Sequence, residues 1–79
     1  MKKYAVVVSD YLEVYGASLG VVDIVNTEEE AQTIVENYRN YWTQEGTDWR
    51  EYEGNLALML YNPYVEGEYI NVEIQEIEV

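Results

Sequence analysis

The chain has no cysteine, no histidine and no phenylalanine, a single proline, and only four basic residues among 79. Each shortage excludes something. Without cysteine there is no disulfide framework, and thiol-based metal and redox sites are absent, which fits a reducing compartment. Without histidine and cysteine the two commonest general bases and thiol nucleophiles are missing, so catalysis would fall to hydroxyls, lysines and carboxylates. A carboxylate pair needs a pocket that splits two pKa values, and a domain of this size seldom has one. The expectation is a protein that is not an enzyme and carries no cofactor.

Four basic residues face sixteen acidic ones, for a formal charge of -12. Nucleic acid is therefore excluded as a direct ligand, since phosphate contacts need clustered lysine or arginine. An anionic membrane surface is disfavoured by the same sign. The partner class that remains is a basic protein surface, or none. No apolar run reaches membrane-spanning length, and the run Tyr4 to Val8 behind Met1-Lys2-Lys3 is too short for a signal sequence. The expected location is the cytoplasm. Metal binding is not expected either, because no segment matches a calcium-loop spacing and glutamates alternating along a strand are usually solvated. The glycine spacing of GASLG, Gly16 to Gly20, lacks the lysine and strand-to-helix context of a phosphate loop.

The chain is nonetheless no disordered acidic tail, because 48% of it is hydrophobic and its apolar residues are periodic. Nine tyrosines and two tryptophans give every aromatic ring a polar edge suited to a half-wet position. Lys3 to Ser9 is apolar on both parities and reads as a central strand. Asp10 to Gly20 reads as a wide hairpin loop or two irregular strand ends, and Val21 to Val25 as a second strand with Asp23 toward solvent or an edge. Asn26 to Trp42 is the helix. Thr27 with Glu30 forms a capping box, Glu28 to Glu30 suit the positive end of the helix dipole, and Ala31, Ile34, Val35, Tyr38 and Trp42 make one buried stripe. Tyr41 stands at its margin, and Gly46 is a stop signal.

Thr43 to Gly54 is a long connection. Asn55 to Asn62 reads as another central strand, Asn62-Pro63 with Glu66-Gly67 as a turn, and Tyr69 to Val79 as an alternating strand. Its parity switches at Ile77, for which a bulge near Gln75 and Glu76 would account. The sum is one α+β domain over residues 1–79, with an antiparallel sheet of about four strands crossed by one helix, in the order ββαββ. One helix covers one face, while two strands offer apolar side chains to both. The second face must be covered by Trp49 and Tyr52 from the loop, by a second copy of the chain, or by a partner. The expectation is a homodimer, or a monomer with a large exposed apolar face.

Short length, extreme acidity, absence of cysteine and a compact α+β pattern resemble the small inhibitors carried by bacteriophages and mobile elements, including anti-CRISPR proteins and DNA mimics. The resemblance is one of composition. It implies inhibition in a host cytoplasm of a CRISPR effector, a restriction or repair enzyme, or a polymerase, by occupying a nucleic-acid site or blocking a surface. Residues two apart on a strand lie about 6.6 Å apart. Glu66 with Glu68, and Glu76 with Glu78, would then present rows of anions to a groove built for phosphates, joined by Glu73 if the bulge turns it. In the stretch DWREYEG, Trp49 and Tyr52 would anchor the contact while Asp48, Glu51 and Glu53 select a basic partner. The alternative is a self-associating structural or accessory module whose acidity serves only solubility, with both rings closing its own core.

Overall fold

The computed structural model describes residues 1–79. It contains β1 (Lys2–Leu12), β2 (Gly16–Val25), α1 (Glu28–Trp42), β3 (Arg50–Glu51), β4 (Leu58–Tyr61) and β5 (Tyr69–Glu78). The strands form one sheet in the order β2-β1-β5-β4-β3, every neighbouring pair antiparallel. The α+β class with one helix on an antiparallel sheet is as expected. The strand count is five rather than about four, because Arg50 and Glu51 pair with Tyr61 and Leu60 inside the long connection.

Local chemistry explains where the other boundaries fall. The stretch from Asp10 to Gly20 is mostly sheet rather than loop, since the reversal needs only Glu13 to Tyr15. Tyr15 N–H donates to the Leu12 carbonyl at 3.0 Å, and Gly16 at φ 78° supplies the left-handed residue that returns the chain to the ladder. The bulge lies on β2, not β5: Val6 pairs with Asp23 and Val7 with Val21, so Val22 is the extra residue. The β1–β5 ladder is unbroken from Lys2↔Glu78 to Tyr11↔Tyr69. The parity change in β5 has another cause. Ile70, Val72 and Ile74 face the helix, and past Ile74 that side runs beyond the core, so Glu76 and Glu78 take it and Ile77 turns to the other face. β4 begins only at Leu58, leaving Asn55 to Ala57 as a bend.

The helix starts as its capping box requires, with Thr27 Oγ1 accepting the Glu30 N–H at 3.1 Å. At its end Thr43 donates both its N–H and its hydroxyl to the Arg39 carbonyl, at 3.0 and 2.6 Å. Ala31 and Val35 press onto Val6, Leu58, Leu60, Ile70 and Val72 to form the core, with Ile34, Tyr38 and Trp42 packed around it. The core is one-sided. The face turned from α1 carries Ala5, Val7 and Tyr11 of β1, Leu19, Val21 and Ile24 of β2, Asn71 and Gln75 of β5, and Met59 and Tyr61 of β4. Ala5 is buried there by its strand neighbours, but Leu19, Val21 and Ile24 are 75%, 59% and 53% exposed. The exposed apolar side chains of this face are concentrated on β2.

Candidate functional site

The connection from α1 to β4 is ordered by its own polar groups. Gly46, at φ 93°, turns the chain, and the Thr47 hydroxyl reaches the carbonyls of Trp42 and Gln44 at 2.8 and 3.0 Å. That placement brings Trp49 back under the helix end, edge-on to Trp42 with ring centroids 5.4 Å apart, where it packs on the core. Tyr41 stands edge-on to Trp42 on the other side, also at 5.4 Å. Tyr52 does not join them. It pairs with Met59 through its N–H and meets the Tyr61 ring at 5.6 Å, both tyrosines 40% exposed. Of the two expected ring anchors, Trp49 is half-buried against the protein's own core and Tyr52 is at the surface. Gly54 has a packing reason to lack a side chain, because the Met59 thioether lies where a Cβ would stand.

Several acidic residues singled out from the sequence are engaged within the chain. Glu51 accepts from Arg39 Nε at 2.9 Å, and the same guanidinium also holds Glu36. These two carboxylates, Glu51 first, raise the Arg39 pKa above its already high ordinary value. Glu68 lies in the turn before β5 rather than on it. It accepts from the Glu13 N–H at 2.9 Å and from the Asn62 amide at 3.1 Å, and so ties the tip of the β1–β2 hairpin to the β4–β5 turn. Glu76 pairs with Lys2 at 2.8 Å, and its hydrogen bond raises the Lys2 pKa. Glu78 lies 3.2 Å from the Met1 amino group. Asp48, Glu53 and Glu66 are exposed. Glu76 and Glu78 do share one face of β5, but Glu73 stays on the opposite one, because no bulge turns it.

The acids are distributed unevenly over the fold. Residues 26–57, the helix and the connection behind it, hold eight acidic residues and two arginines. Both arginines have internal acceptors: Arg39 its two glutamates, and Arg50 the carbonyls of Thr47 and Trp49 at 3.4 and 3.1 Å. On the face away from the helix, Glu73 is the one acidic residue in the strands, against Lys3 and Arg50. Beside the acidic connection, the flank of α1 has a shallow groove lined by Ile34, Asn37, Tyr38, Tyr41 and Trp42. The sequence marked Tyr41 only as lying off the buried stripe. That displacement, for a ring 65% exposed, is the signal that could have found the groove. No group of three or more acidic side chains is arranged to hold a metal ion.

No helix is long and apolar enough to cross a membrane. Compared with family models, curated proteins and solved structures, the chain matches none.

Proposed function

We propose that this protein is a non-enzymatic inhibitor that docks its acidic helix layer on a basic nucleic-acid-binding protein. The observation that carries the proposal is the pairing of an aromatic groove with unneutralised acid at one end of α1. Tyr41 and the groove occupy the last turns of the helix, and Glu45, Asp48 and Glu53 follow in the connection, exposed and without an internal ion pair. Aromatic rings in a shallow apolar groove supply contact area at low entropic cost, and the surrounding carboxylates select a basic partner and speed its approach. Glu28 and Glu29 extend the same negative layer to the other end of the helix, about 22 Å away at a rise of about 1.5 Å per residue. Such an array matches a surface that ordinarily receives phosphates, as the resemblance to phage anti-defence inhibitors implies. Trp49 and Glu51 serve this surface by fixing the loop that presents it.

Capture on immobilised protein from a bacterial lysate at low and moderate salt, with identification by mass spectrometry, names the target. The decisive step is competition. DNA or RNA should displace the purified target from the protein, and affinity should fall as salt rises. A target that holds the protein and its nucleic acid together, with undiminished affinity for both, overturns mimicry of a nucleic acid.

A further inference from the structure

We propose that the open face of the sheet is the contact between two copies of this chain, packed sheet to sheet, with the acidic helix layers facing outward. The inference rests on the charge and area of that face and is independent of the reading of the helix layer. In a protein of charge -12, this face alone escapes the excess of acid: along its strands Lys3 and Arg50 stand against the single Glu73. A basic partner finds nothing to select it there, and an anionic lipid surface is repelled by the rest of the molecule. A second copy of the same near-neutral face meets neither objection, and a two-fold contact is self-complementary by construction.

Area and polarity agree. The molecule measures 43 by 25 Å along its two longer axes, enough for the roughly 800 Å² per partner that a standard interface covers. Leu19, Val21 and Ile24 supply exposed apolar surface at one margin. Toward the centre, Ser9 of β1 and Asn71 and Gln75 of β5 place uncharged polar side chains on this face, which a second copy's own hydroxyl and amides can match. Pairing through the edge of β2 is the competing geometry. The bulge at Val22 and the adjacent Asp23 interrupt that edge, as devices against strand addition do.

Sedimentation equilibrium over micromolar to millimolar concentrations tests the proposal. The expected species is twice the 9.3 kDa chain, tightening between 0.05 and 0.5 M sodium chloride as repulsion between two anions is screened. Val21→Glu, at the margin, and Gln75→Glu, on an interior strand that edge pairing would not touch, should each weaken it about tenfold or more. Val14→Glu adds the same charge in the hairpin turn and should leave it within about twofold. Circular dichroism checks that each variant is folded. A monomer at 1 mM in 0.5 M salt overturns the proposal, as does a dimer that folded Gln75→Glu leaves intact, or one that Val14→Glu weakens equally.

Discussion

Trp49 meets Trp42 edge to face at 5.4 Å, and through this contact the acidic connection is anchored to the end of the helix. Trp49→Ala should therefore lower stability by about 2 kcal/mol, less than a fully buried tryptophan because the ring is half-buried. For a domain of this length that is a fall of roughly 10 °C in the melting midpoint. Tyr52→Ala, at an exposed pair with Tyr61, should cost less than about 1 kcal/mol. Thermal melts of the two variants side by side check the contrast, and equal losses would contradict the placement of Trp49.

Arg39 joins α1 to β3 by holding Glu51 while also binding Glu36. Replacing it with alanine should cost about 1 kcal/mol, the upper end for partly exposed pairs. The pH dependence follows from the sign of its shift. A group whose pKa is raised on folding contributes fully below its unfolded pKa and loses that contribution only as pH rises through the folded one. Both values for this guanidinium lie above the range in which the protein would be handled. The gap between wild type and Arg39→Ala should thus stay constant from pH 7 to pH 10 in urea titrations.

Thr27 accepts the Glu30 N–H at the start of the only helix. Thr27→Ala leaves that donor without its cap and should cost about 1 kcal/mol. Urea unfolding should show a lower midpoint with an unchanged slope, since the surface exposed on unfolding is the same.

Salt should stabilise the protein. Twelve uncompensated negative charges repel over about one Debye length, near 10 Å at 0.1 M, and the four ion pairs present are too few to reverse the sign. The melting midpoint should rise between 0.05 and 0.5 M sodium chloride; a fall would show that attractive pairs dominate.

The parts of the fold legible in the sequence are those whose signal is local and repeated. α1 is marked at its start by Thr27 and along its length by Ala31, Val35 and Trp42, and β5 is marked by Ile70, Val72 and Ile74. The hairpin is less legible, because Gly16 and Gly20 both read as breaks while only Gly16 has a positive φ. β3 is two residues long and exists through pairing with β4, which no local pattern reports. The role of Trp49 depended on the turn at Gly46 and Thr47, a tertiary matter. Likewise the pairing of Glu51, Glu68 and Glu76 depends on partners 6 to 74 residues away, so charge composition identified them as acids without showing which remain free.

β1 pairs with β5 from Lys2 to Tyr11, so Lys2 at its start meets Glu78 at the end of β5. During synthesis the hairpin of β1 and β2 and the helix emerge before β5, so one flank of β1 stays bare until β5 has left the ribosome. Closing the long loop between Lys2 and Glu78 is slow relative to forming local contacts. Nascent and shortened chains would therefore be the vulnerable forms, since β1 without β5 offers a long apolar template to any extended strand.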